Sequence, residues 1–145
     1  MKKILPLIGL LIALDQISKY FVTKMPSTIS LLGDFFQIEY SQNFGVIFGL
    51  PMPKIIIILF ALILIPTLTY FFRKDLDWQK PITKLVYALI IAGALGNLID
   101  RFTYGFVVDF IAIGSWPNFN FADTYITLGV LTTIIFYSRL QPSRK

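Results

Sequence analysis

"IIIILFALILIPTLTYFF", Ile55–Phe72, is the stretch on which the fold turns. It holds no charged residue, and its one breaker, Pro66, predicts a kink rather than an end. A helix crossing the hydrocarbon core of a bilayer needs roughly 20 apolar residues, fewer when its ends reach into the headgroups. The stretch fits that requirement and carries nothing resembling a site, so it is expected to be scaffold. Composition agrees. The 145 residues are 56% hydrophobic and 14% charged, and their mean hydropathy is +0.73. Soluble domains are nearer ~25% charged. The chain is expected to be one integral membrane domain spanning 1–145.

Working outward, three more apolar segments appear, giving four expected transmembrane helices at about 4–22, 55–72, 85–100 and 122–138. Four passes place Lys2, Lys3, Arg73, Lys74, Lys80, Lys84, Arg139, Arg144 and Lys145 on one side, against Lys24, Lys54 and Arg101 on the other. Loops rich in Lys and Arg stay in the cytoplasm, so both termini are expected there, with loops 23–54 and 100–121 outside. The first segment resembles a signal peptide, but no small-x-small cleavage site follows and "DQISKY" continues it at helical spacing. It is read as a retained span. In the first outer loop "FQIEYSQ" alternates, with Phe36, Ile38 and Tyr40 on one expected face and Gln37, Glu39 and Ser41 on the other. That period is a strand's, expected to lie at the membrane surface.

Cysteine and histidine are both absent. Thiol and Ser–His nucleophiles and His- or Cys-ligated zinc are therefore excluded, and proton traffic must run through Asp, Glu, Lys, Tyr or water. The net charge of +5 forms no basic patch interleaved with aromatics, so no nucleic-acid partner is expected.

The polar residues gather in the outer half. Asp15 and Lys19 lie four apart on one helix face and are expected to pair, either as a structural ion pair with Lys19 snorkelling or as support for a site. "QNFGVIFG" sets Asn43 before Gly45 and Gly49, compatible with a loop entering the next helix or with a hold on an extended peptide. In "AGALGNLIDR", Gly93 and Gly96 let helices approach closely. Asn97 and Asp100 share a face, and Arg101 offers a fork of donors for a carboxylate. Asp109 in "GFVVDFI" has only apolar neighbours and no turn chemistry to explain it. Asp123, in "WPNFNFAD" after Asn118 and Asn120, is either a helix cap or a reacting group.

A connection as short as that between Asp109 and Asp123 makes their elements neighbours. Two carboxylates about 4 Å apart at an effective dielectric near 20 repel by about 4 kcal/mol, or roughly three pK units. One keeps a proton and the other does not, and a water between them faces an acid and a base.

At these residues the chain resembles the lipoprotein signal peptidases, or type II signal peptidases, of bacterial plasma membranes. "DQISK" at 15–19 is similar to the family's D-Q-x-x-K, "NFGVIFG" at 43–49 to its N-x-G-x-x-F, and "GALGNLIDR" at 93–101 to its G-x-x-G-N-x-x-D-R. "VVDFI" at 107–111 is similar to V-V-D-F, and "FNFADTYI" at 119–126 to F-N-x-A-D. Val46 and Ile47 stand where the family commonly has two alanines, and Thr124 where Ser is common. The resemblance implies a multi-pass plasma-membrane aspartic endopeptidase with Asp109 and Asp123 as the catalytic dyad and no metal or cofactor. Asp15, Lys19, Asn43, Gly93, Asn97, Asp100, Arg101 and Asn120 would line or support the site. It further implies a small extracytoplasmic β-sheet cradle, a monomer embedded in membrane lipid, and prolipoprotein substrates bearing a diacylglyceryl-cysteine lipobox, cleaved just before that cysteine. Two other readings of the same acids are a magnesium-dependent membrane phosphatase or lipid transferase, and a non-enzymatic small transporter or assembly factor.

Overall fold

The computed structural model describes residues 4–45 and 53–142. Lys2, Lys3, Val46, Ile47, Gly49, Arg144 and Lys145 lie outside the described residues. In chain order the elements are α1 (Leu5–Thr23), β1 (Ile29–Leu32), β2 (Phe36–Asn43), α2 (Lys54–Asp75), α3 (Pro81–Thr103), β3 (Val107–Ile113), β4 (Trp116–Phe119), α4 (Phe121–Ile135) and α5 (Tyr137–Leu140).

Among the described residues three helices, α1, α2 and α3, are long and apolar enough to cross a membrane. The fourth, α4, is apolar but has 15 residues. A break at Phe136 separates it from α5, and the two together rise about 30 Å at 1.5 Å per residue. Helix α3 begins earlier than the apolar run at 85–100 indicates, because Pro81 opens it with a fixed φ and no N–H to satisfy. It buries most of its length at the centre of the bundle. Helix α2 turns Ile55, Ile56, Leu59, Phe60, Leu62 and Ile63 outward. An apolar face that broad suits lipid, not water.

Close helix approach comes from glycine. A Cβ on Gly93 would strike the Ala122 carbonyl oxygen and stand 2.7 Å from Ile126 Cγ1, and one on Gly96 would stand 2.7 Å from Asp15 Oδ2. Gly93 thus seats α4 on α3, and Gly96 seats α1 on α3. At the far end of the bundle Ile4, Phe72, Leu76 and Leu140 share one apolar cluster. The Asp77 N–H donates to the Leu140 carbonyl at 2.8 Å, and Lys80 Nζ donates to the Arg139 carbonyl at 2.9 Å. Both ends of the described chain therefore lie together, away from the sheet.

The strands form one antiparallel sheet in the order β1-β2-β3-β4. Asp109 sits within β3, where Val107, Val108, Phe110 and Ile111 are β-branched or aromatic strand formers. The expected strand at 36–41 is β2, but its faces differ from simple alternation. Phe36 pairs with Ile113 and Ile38 with Ile111, after which Ser41 pairs with Asp109 and Asn43 with Val107. One extra residue on β2 makes a bulge between Ile38 and Ser41. Partners across strands share a face. Ile38 therefore shares a face with Ser41 and Asn43, while Tyr40 turns out, 42% exposed. The bulge delivers Asn43 to the face that carries Asp109.

Candidate active site

Four elements bring their polar residues to one place beneath the sheet. Helix α1 brings Asp15, Gln16 and Lys19; α3 brings Asn97, Asp100 and Arg101; β3 brings Asp109; the start of α4 brings Asn120 and Asp123. Asp15, Lys19, Asp100, Asp109, Asn97 and Asn120 are all buried. Buried charge is tolerable only when paired and hydrogen-bonded.

Asp109 and Asp123 meet through Asn120. The Asn120 side-chain Nδ2 donates to Asp109 Oδ1 at 2.7 Å, and its backbone N–H donates to Asp123 Oδ2 at 3.3 Å. Its Oδ1 accepts from the Asp123 backbone N–H at 2.9 Å, closing a reciprocal capping box. That bond fixes which way the amide faces, because Nδ2 must then point at Asp109. Asn120 is thus the N-cap of α4, and Asp123, in the first turn, closes the box and does more. Its other oxygen, Oδ1, accepts from Asn97 Nδ2 at 2.7 Å. Asp109 Oδ2 accepts from Asn43 Nδ2 at 2.9 Å. Burial, and next the Asp123 carboxylate, push Asp109 up from the ordinary carboxylate value to about 6, against the donors Asn43 and Asn120 and the charge of Lys19.

Lys19 does not snorkel. It turns inward, and its three N–H donors find three acceptors: Asp15 Oδ2 at 2.8 Å, Asp100 Oδ2 at 2.9 Å and Asn97 Oδ1 at 3.1 Å. Asn97 therefore presents its oxygen to Lys19 and its nitrogen to Asp123. Arg101 donates to two backbone carbonyls, Asn97 at 3.3 Å and Gly45 at 3.1 Å, so it ties the loop after β2 to α3. Gly93 contributes no polar atom; it sets where α4 begins. Asn118 lies outside the cluster, donating to Glu39 Oε1 at 2.7 Å across the sheet.

A groove of about 710 Å³ opens at Asp123, reaching from Asn43, Asn97 and Arg101 past Trp116 on β4 to the apolar flank of α2 at Ile57, Phe60 and Leu64. Among the described residues no group of three or more carboxylates gathers as a metal cage.

Gln16 joins the cluster too, although in the sequence it reads only as a letter of "DQISK" and not as a site residue. Its Nε2 donates to Asp100 Oδ1 at 2.9 Å, Asp15 Oδ2 at 3.1 Å and the Gly96 carbonyl at 3.2 Å. The available signal was its spacing of three from Lys19, which puts both on one stripe of α1.

Apolar helices of membrane-crossing length, a sheet over their ends and two carboxyls joined through Asn120, one buried and one facing an apolar groove, define a membrane-embedded enzyme. The chain belongs to the signal peptidase II family: a family model described as Signal peptidase (SPase) II matches residues 7–139. A lipoprotein signal peptidase of Moorella thermoacetica is 36% identical over 137 residues, covering 92% of this chain and 90% of that protein. One of Thermodesulfovibrio yellowstonii is 39% identical over 145 residues, covering 92% of each. A bacterial membrane enzyme solved at 2.3 Å by the in meso method superposes with a TM-score of 0.85 at 31% identity, covering 96% of this chain and 89% of its own.

Proposed function

We propose that this membrane signal peptidase works as an aspartic endopeptidase in which Asp109 and Asp123 are the reacting pair. The observation that carries the proposal is Asn120, which bonds one carboxyl through its side chain and the other through its backbone. Charge balance supports it. Lys19 and Arg101 face Asp15, Asp100, Asp109 and Asp123, so two cations oppose four carboxyls. One proton held between Asp109 and Asp123 relieves half of the excess, and the two carboxyls then titrate as one system.

A water between them gives a proton to the ionised carboxylate while its oxygen adds to the scissile carbonyl carbon. The protonated carboxyl gives its hydrogen to the carbonyl oxygen. The proton taken from water then passes to the amide nitrogen, the C–N bond breaks as one hydroxyl of the intermediate returns its hydrogen to the second carboxylate, and a new carboxyl and a free amine leave with the pair again holding one proton. The substrate is a prolipoprotein whose lipobox cysteine carries diacylglyceryl, cut just before that cysteine. Its lipid and signal helix hold it in the bilayer, so the bond arrives at a fixed depth, and the groove along α2 and α4 offers apolar walls to the lipid.

The chain crosses the bacterial plasma membrane four times as a monomer, with α4 and α5 forming the last pass, both termini cytoplasmic and the sheet outside. Arg73, Lys74, Lys80, Lys84 and Arg139 at the end away from the sheet favour this orientation. The test uses purified protein and a diacylated prolipoprotein peptide. Asp109→Asn and Asp123→Asn should each abolish cleavage while the protein still folds in the membrane; retained cleavage in either refutes the pair.

A further inference from the structure

Asp15 and Asp100 hold more than Lys19. Asp15 Oδ1 accepts from the backbone N–H of Ala122 at 2.9 Å, and Asp100 Oδ2 accepts from the backbone N–H of Val108 at 3.1 Å. Ala122 directly precedes Asp123, and Val108 directly precedes Asp109. Each of these two acids therefore grips the chain one residue before a reacting aspartate. Lys19 Nζ and Gln16 Nε2 each bridge the two acids, sharing Asp15 Oδ2 and taking Asp100 Oδ2 and Oδ1 respectively.

We infer that Gln16 is a positioning residue, the uncharged crossbar of a yoke whose arms, Asp15 and Asp100, set the distance between Asp123 and Asp109. The inference rests on the catalytic reading of that pair. Lys19 supplies attraction but no lateral stiffness, because an ammonium bonds its partners as a point charge. The amide of Gln16 is planar. Its two hydrogens serve three acceptors, and its bond to the Gly96 carbonyl ties the crossbar to the backbone of α3. Gln16 does not line the groove, so its effect on substrate passes through the aspartates alone.

Loss of the crossbar lets β3 and the start of α4 part. Coulomb coupling between the carboxyls weakens with distance, so the two limbs of a bell-shaped pH profile draw together. The charged groups facing the pair are Asp15 and Lys19 from α1 and Asp100 and Arg101 from α3. Glu39 on β2 is bonded to Asn118, and Lys54 on α2 lies near Gly105. None of these changes identity in the variants below.

The experiment takes the full chain in nanodiscs with a diacylated prolipoprotein peptide and compares wild type with Gln16→Met, which keeps length and lacks the amide. Expected are a kcat lowered roughly tenfold or more, a KM within about twofold, and limbs of the kcat/KM profile closer by about 0.5 pH unit. That shift corresponds to two charges about 4 Å apart separating by about 1 Å at a dielectric near 20. The shape of the profile does not depend on how much of the sample is folded, so a purely structural role would lower yield and leave the limbs in place. That result, or an unchanged kcat, overturns the yoke. Gln16→Asn, one methylene short of its acceptors, asks the same question if the Met variant does not accumulate. Asp109→Asn and Asp123→Asn run alongside: if either cleaves, the catalytic reading falls, whereas inactive asparagine variants beside an unaltered Gln16→Met sink the yoke alone.

Discussion

Replacing Gly93 by alanine adds one methyl group and should disable the enzyme. The new Cβ meets the Ala122 carbonyl oxygen, 2.7 Å from Ile126 Cγ1 and 3.2 Å from the Ala122 carbonyl carbon. Carbon atoms pack best at about 3.5–4.0 Å, so Ile126 must retreat by roughly 1 Å. Its side chain can turn; the Ala122 carbonyl cannot, because it belongs to the first turn of α4 and is committed to that helix's hydrogen bonds. The start of α4 must move instead. Overpacking of this kind costs about 1–3 kcal/mol, and a rigid backbone atom as one party places the expected loss at about 2–3 kcal/mol. Asp123, one of the proposed reacting pair, is the residue after Ala122 and moves with it, and a displacement of about 1 Å in such a group can cost about 100-fold in rate. The assay is thermal unfolding of the purified protein together with kcat on a diacylated prolipoprotein peptide. Gly9→Ala is the control, since a Cβ there meets nothing within 4 Å. A Gly93→Ala enzyme that melts and turns over like wild type would refute the claim that helix contact at this glycine places Asp123.

Lys19→Met strands Asp15 and Asp100 without a counter-charge, at a cost of about 3–5 kcal/mol. The variant should accumulate poorly, and adding Asp15→Asn and Asp100→Asn should recover folding, read by melting temperature, without recovering cleavage. Asp109, raised to about 6 by burial and Asp123, binds its proton more tightly in the folded chain than in the unfolded one. Its contribution to stability is therefore present below about pH 4, falls as pH rises to about 6 and stays lost above. At about 1.4 kcal/mol per pH unit, Asp109→Asn should gain up to about 3 kcal/mol on wild type between pH 4 and pH 8; a constant difference in unfolding would contradict this. Treatment with EDTA should leave cleavage unchanged, and loss rescued by added magnesium would favour the metal-dependent alternative.

The helices were legible because lipid imposes a simple demand, a long run without charge, and Ile55–Phe72 meets it plainly. The ends were less so. Pro81 starts α3 several residues before its apolar run, and the break at Phe136 follows no proline or glycine. The pair Asp15 and Lys19 could be read from spacing alone, since helical geometry makes residues four apart meet. The partner that completes it, Asp100, lies on another helix. Strand alternation in "FQIEYSQ" was visible, yet its faces came out wrong beyond Ile38, because a bulge is a matter of register with a neighbour and leaves no local signature. Asn43 reaches Asp109 only through that extra residue. Asp123 was ambiguous for a sound reason: it is both the partner that completes the capping box of Asn120 and a member of the polar cluster, and each role alone accounts for its place in the sequence.

Trp116 stands at the rim of the groove, and the second tryptophan, Trp78, stacks edge-on against Tyr87 in the bundle. Two indoles, one beside the doorway and one half-buried against the opposite end of the bundle, give the chain its own pair of lamps. Light from the first is set to change when a lipid tail or peptide slides past it, while the second burns steadily as a reference. Occupancy can thus be followed optically in the unlabelled protein, and, with no native cysteine to interfere, any single introduced thiol can serve as the acceptor that turns brightness into distance.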